Sequence, residues 1–136
     1  MIDGITLEDL NNLINIDFID WEKLRNSSVL VTGATGQIGS EIVKLLLFLN
    51  EKRNLNINII ALIRNFEKAK SIFKDFLLEN RHCEPSIDTS LRGVENAVAI
   101  QKNNNIIFLR QNITEPISID NSIDFIIIGV YNFWFL

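Results

Sequence analysis

One cysteine, one histidine and one tyrosine are all that this chain of 136 residues holds of three residue types on which much site chemistry depends. With Cys83 alone no internal disulfide can form, which suits a reducing compartment or indifference to redox. His82 adjoins Cys83 but has no further partner at metal-ligand spacing. A structural zinc wants four ligands, so the pair reads as surface loop and no metal site is expected. Charge of one sign is scarce too: 13 basic residues face 17 acidic ones, for a net charge of −4, and neither sign forms a long run. Nucleic acid is therefore not the expected partner, because a phosphate backbone needs concentrated Lys and Arg. No basic patch precedes an apolar stretch at the N-terminus, so no secretory signal is read. The longest apolar runs are too short to span a bilayer. A cytoplasmic protein without membrane contact is expected.

What the chain does have is apolar residues, 47% of the total, arranged in two periods. Residues 1–26 form a helical leader, with Thr6 and Asp9 as a capping box and Leu7, Leu10, Leu13 and Ile14 at helical spacing. An apolar stripe of this kind is read as packing over one end of the sheet, with a partner-binding helix as the alternative. Residues 27–136 then alternate strand and helix. Strands are expected at Val29–Thr32, Ile57–Ile63, Ile106–Leu109 and Asp124–Ile128. Helices are expected from Gln37 to about Asn50 and from Phe66 to about Asn80, and a short one within Ser90–Gln101. The first would turn Ile38, Ile42, Leu45, Leu46 and Leu49 inward; the second Phe66, Ala69, Ile72, Phe73, Phe76 and Leu77. Near-continuous apolar strands suit a parallel sheet covered on both faces. The expected fold is α/β: a Rossmann-like doubly wound parallel sheet with helices on both faces and strand order 3-2-1-4.

The first strand runs into three spaced glycines, Val29-Leu-Val-Thr-Gly-Ala-Thr-Gly-Gln-Ile-Gly-Ser40. A phosphate-binding turn needs residues without side chains where backbone meets pyrophosphate. Gly33 suits the tight turn, Gly36 the approach of the pyrophosphate, and Gly39 the contact of helix with strand. The helix start adds N–H groups, here from Gln37 and Ile38, and the positive end of its dipole. Thr35 adds a hydroxyl. The strand–turn–helix–strand context supports the reading. A P-loop is a poor alternative, since no Gly-Lys-Ser/Thr occurs. The bland reading is a tight turn without ligand.

At the end of the second strand an acid would hold the ribose hydroxyls of NAD. Arg64 and Asn65 stand there instead. A guanidinium pairs with a 2′-phosphate, and Lys68 lies one turn onward, so NADP is favoured over NAD. An arginine simply solvated at a strand end is the alternative.

The spacing Gly33-Ala-Thr-Gly36-Gln-Ile-Gly39 resembles the Thr-Gly-Ala-x-Gly-x-x-Gly motif of the extended short-chain dehydrogenase/reductases, the NAD(P)-dependent epimerase/dehydratase family that mostly modifies nucleotide sugars. The resemblance runs from about Phe18 to Gly129. Asp17-Phe-Ile-Asp-Trp-Glu-Lys-Leu24 is similar to the leader of members associated with bacterial surface-polysaccharide synthesis. The resemblance implies that Asn112 and Ile113 lie at the adenine, with Asn112 where relatives carry Asp; an ordinary turn is the other reading of Asn112. It implies that Gly129 lies at the cofactor-facing end of the last strand. Val130 and Tyr131 are bulkier than the residues relatives carry there.

The family reaction needs a Tyr with a Lys four residues later, and no Tyr-x-x-x-Lys occurs. No catalytic residue is therefore assigned. Ending after a fourth strand would leave an apolar edge open to self-association. The expectation is the N-terminal, cofactor-binding part of a longer reductase, with nucleotide sugar bound only by the full-length form. A non-catalytic NADP-binding sensor or scaffold, and a remnant that folds poorly, are the alternatives.

Overall fold

The computed structural model describes residues 4–77, 97–100, 105–111, 116, 119 and 122–129. Helix α1 (Gly4–Ile14) and a short 3-10 turn (Trp21–Leu24) precede β1 (Ser28–Thr32). Then follow α2 (Gln37–Arg53), β2 (Asn58–Ile63), α3 (Phe66–Leu77), β3 (Ala97–Ile100), β4 (Ile106–Arg110) and β5 (Phe125–Ile128).

The strands form one sheet in the order β3-β4-β2-β1-β5. Strands β4, β2, β1 and β5 are mutually parallel. This is the doubly wound order expected for the four parallel strands, with the reversal point between β1 and β5. Strand β3 adds an antiparallel edge, Ala97 opposite Leu109 through Ile100 opposite Ile106. That corrects the short helix expected over Ser90–Gln101, at least for its last residues; 90–96 and 101 lie outside the described residues. The free edge of β4 offers a row of N–H and C=O groups, and a four-residue segment with two β-branched residues satisfies them better by pairing than by helical turns.

Strand alternation divides the core in two. Val29, Val31, Ile59, Ala61, Ile63, Ile106 and Phe108 face α2 and α3. Phe73 stacks on Phe108 with ring centroids 5.7 Å apart, and Phe66 meets the same ring edge-on at 6.1 Å. The opposite face carries Leu30, Ile60, Leu62 and Leu109, covered in part by Ile119 and Ile123 of the connection from β4 back across the sheet to β5. Full burial of β2 from Ile59 to Ile63 follows from its central place between these layers.

Helix α2 is buried more broadly than its stripe predicts. Val43, Leu47 and Phe48 are inside along with Leu46 and Leu49, because α2 packs against α1, α3 and the sheet at once. Ile38 departs from its expected inward placement: it is 64% exposed. It sits in the first turn of α2, next to the glycine turn at the sheet's C-terminal end, where the helix has less of the sheet to pack on. Asn54 ends α2 in the left-handed conformation, with Lys52 and Arg53 complementing the negative end of the dipole.

The leader is tied down by polar contacts as well as by buried Leu10 and Ile14. The Arg53 guanidinium donates to the Ile14 carbonyl, one of those left open at the end of α1. Arg25 donates to Glu22 and to the Asn54 carbonyl. Thr6 lies inside α1, which is already helical at Gly4, so Thr6 and Asp9 do not mark the helix start as a capping box would. No helix among the described residues is long and apolar enough to cross a membrane.

Candidate functional site

Strand β1 ends at Thr32, and the chain turns at once. Gly33 adopts φ +62°, a left-handed conformation costly to any residue with a Cβ. The Gly36 N–H donates to the Gly33 carbonyl at 2.9 Å, closing a four-residue turn. The Ala34 N–H leans toward the Leu62 carbonyl at 3.4 Å, which docks the turn on β2.

Two of the motif's glycines are demanded by the fold itself. A Cβ on Gly33 would stand 2.7 Å from the Gly129 carbonyl oxygen. A Cβ on Gly39 would stand 2.2 Å from the Gly33 carbonyl oxygen and 3.1 Å from the Ala34 Cα. Gly39 thus lets α2 lie directly on the turn. Gly129 shares in the close approach: its N–H donates to the Thr32 carbonyl at 3.2 Å, and a Cβ there would meet that oxygen at 2.8 Å. The structure therefore brings Gly33, Gly39 and Gly129 together where β1 and β5 end side by side.

Gly36 differs. It precedes α2 with φ −80° and ψ 174°, an extended conformation open to any residue. Lacking a side chain, it cannot cap the helix that it opens. The Ser40 N–H returns to the Gly36 carbonyl at 2.9 Å. No carbonyl of the described residues accepts from the N–H of Ile38 or Gly39. Thr35 is half-buried and Gln37 sits beside it at the helix start. This set could hold a pyrophosphate: N–H donors at a helix start, flanked by a hydroxyl and by glycines that keep the main chain close.

Arg64 is exposed directly after β2, and no carboxylate among the described residues pairs with it. Asn65 serves the fold: its Oδ1 accepts from the Lys68 N–H at 3.0 Å, capping α3. The residue is otherwise exposed. Arg110, the last residue of β4, stands in register with Ile63 and is exposed as well. Sequence reasoning passed it over, although the signal was there: a cation ending an apolar strand, as Arg64 does after β2. Asn112, Ile113, Val130 and Tyr131 lie outside the described residues. Strand β5 has no partner on its outer side among the described residues, and Phe125, Ile126 and Ile128 are exposed along it.

No family model matches the chain, and no curated protein or solved structure matches it.

Proposed function

We propose that this chain is the NAD(P)-binding part of an oxidoreductase of the nucleotide-sugar epimerase/dehydratase type. The observation that carries the reading is Gly36. Gly33, Gly39 and Gly129 are glycines because backbone crowds them. Gly36 is a glycine where the backbone angles do not require one. A ligand approaching from outside accounts for it, and the unclaimed N–H groups of Ile38 and Gly39 suit an anionic one. The place agrees, since ligands of doubly wound sheets bind beyond the strand C-termini at the reversal of strand order.

In this reading the pyrophosphate lies over Gly33, Thr35, Gly36, Gln37, Ile38 and Gly39. The adenosine ribose lies toward Arg64 and Asn65, the adenine toward Asn112 and Ile113, and Gly129 gives the cofactor room beside β5. Arg64 in place of an acid favours NADP over NAD. When bound, the dinucleotide supplies hydride chemistry; these residues bind and orient it. A nucleotide sugar would be engaged only alongside a Tyr-x-x-x-Lys pair, which the 136 residues do not contain. That lack keeps a second reading, a non-catalytic NADP-binding sensor or scaffold module, beside the first. The exposed β5 edge would then be where such a module associates with itself.

Titration with NADPH and NADH tests the shared core of both readings. Gly36→Val keeps allowed backbone angles, and the folded variant should lose dinucleotide affinity by about a hundredfold or more, on the order of 3 kcal/mol. Unchanged affinity in a folded variant sinks the phosphate-turn assignment.

A further inference from the structure

Three cations gather where β2 and β4 end. Arg64 follows Ile63 directly, Arg110 is the register partner of Ile63 on the adjacent strand, and Lys68 lies in the first turn of α3. All are exposed, and none pairs with a carboxylate among the described residues. The one acid in that first turn, Glu67, already faces Lys70 at 3.7 Å, and Lys70 also covers the Phe66 ring. Neighbouring strands lie roughly 4.8 Å apart, so Arg110 stands beside Ile63, and Arg64 is one residue further along; two long side chains from these positions can reach one anion. Their placement does nothing for α3, whose N-terminus carries partial positive charge and disfavours cations. Elsewhere Arg25 pairs with Glu22, Lys44 with Glu41, Lys52 with Glu51, and Arg53 with the Ile14 carbonyl, while Lys74 of α3 stands exposed without a carboxylate partner among the described residues.

Resting on the dinucleotide reading above, we propose that Arg110 is a second specificity-determining residue, forming with Arg64 a two-arginine clamp for a phosphate monoester on the adenosine ribose, the 2′-phosphate of NADP. A monoester dianion matches two planar guanidiniums better than one, because each offers paired N–H donors. The strand register holds Arg110 in place, whereas Arg64 sits on the bend leaving β2. Arg110 thus supplies the fixed half of the clamp.

The test is equilibrium titration of the full chain and its Arg110→Gln, Arg110→Lys and Arg64→Gln variants. The probes are NADPH, NADH, 2′,5′-ADP and 3′,5′-ADP, with a thermal melt of each variant. Loss of one charge-assisted contact predicts that Arg110→Gln weakens NADPH and 2′,5′-ADP about tenfold while NADH changes less than about twofold. Arg110→Lys, keeping charge without the fork, should recover part of the loss. An NADPH-to-NADH ratio unmoved by Arg110→Gln overturns the clamp while leaving the dinucleotide reading intact. Equal or tighter binding of 3′,5′-ADP overturns the 2′ assignment. A wild-type chain that binds none of the four probes overturns both the clamp and the reading beneath it.

Discussion

At the N-terminal ends of β1, β2 and β4 asparagine side chains pair with one another; at the C-terminal ends of β2 and β4 arginines stand without side-chain partners among the described residues. Asn105 donates its amide to the Asn56 Oδ1, and Asn56 donates in turn to the Asn26 Oδ1 at 2.9 Å. All three are left-handed, with φ of 48°, 55° and 56°. Asn50 reaches from α2 to hold both backbone groups of Ile57, and the Asp124 carboxylate accepts from the Ser28 N–H at 2.8 Å. Polar capacity at this end is spent inside the protein. At the other end Arg64, Arg110 and the N–H groups of Ile38 and Gly39 have no such partners among the described residues. The difference separates an end whose polar side chains close the fold from an end whose polar groups stay open, as the proposed dinucleotide site would require.

The sharpest way to break that comparison is within the glycine turn. Gly39→Ala drives a methyl group against the Gly33 carbonyl, which is backbone and cannot swing away. It should cost about 3 kcal/mol of stability, the upper range for overpacking, and lower the melting temperature by roughly 10 °C. Gly36→Val, three residues earlier, should lower the melt far less, since its backbone angles are open to any residue. If both variants melt alike, the two glycines serve the same end, and the distinction between packing and ligand approach fails.

Next in size is Asn50→Ala. Its amide accepts from the Ile57 N–H at 2.7 Å and donates to the Ile57 carbonyl at 2.9 Å, in a part-buried position. Removing it strands a donor and an acceptor and should cost about 2 kcal/mol. Dinucleotide affinity should not change, since Asn50 serves the closed end. A urea titration beside an NADPH titration reads both; weaker binding by a folded Asn50→Ala would show that the two ends are coupled.

Much of this was legible in the chain. The order of the four parallel strands follows from alternating apolar runs and helical stripes, and Gly33 and Gly39 announce a tight turn with a helix packed on it. The stripe of α3 reads correctly because that helix meets the core along one face, with Ala69, Phe73 and Phe76 buried. The stripe of α2 reads less well. Periodicity assumes one buried face, whereas α2 has neighbours on several sides, and its first turn leaves Ile38 exposed. Strand β3 was hidden because its conformation is set by the β4 edge, a partner that local pattern cannot supply. The asparagine chain was hidden for the same reason: Asn56 bonds residues 30 and 49 positions away. Arg110 drew no notice because a lone cation after a strand gains meaning only from the strand beside it.

Asn56 offers the finest test of the closed end, because its backbone and side-chain contributions can be separated. Asn56→Ala removes both amide bonds and also places a Cβ residue without local hydrogen bonding at φ 55°. It should cost about 1.5 kcal/mol, as two exposed hydrogen bonds are worth little each and left-handed strain adds about 1 kcal/mol. Asn56→Gly removes the same two bonds but tolerates the angle, so its cost should be about half that of Asn56→Ala, even after the added freedom of glycine in the unfolded chain. Equal costs for the two variants in a urea titration would mean that the left-handed angle is not held in solution. A cost for Asn56→Gly near zero would mean that the amide chain contributes nothing, and that asparagine stands at the start of β2 for its backbone alone.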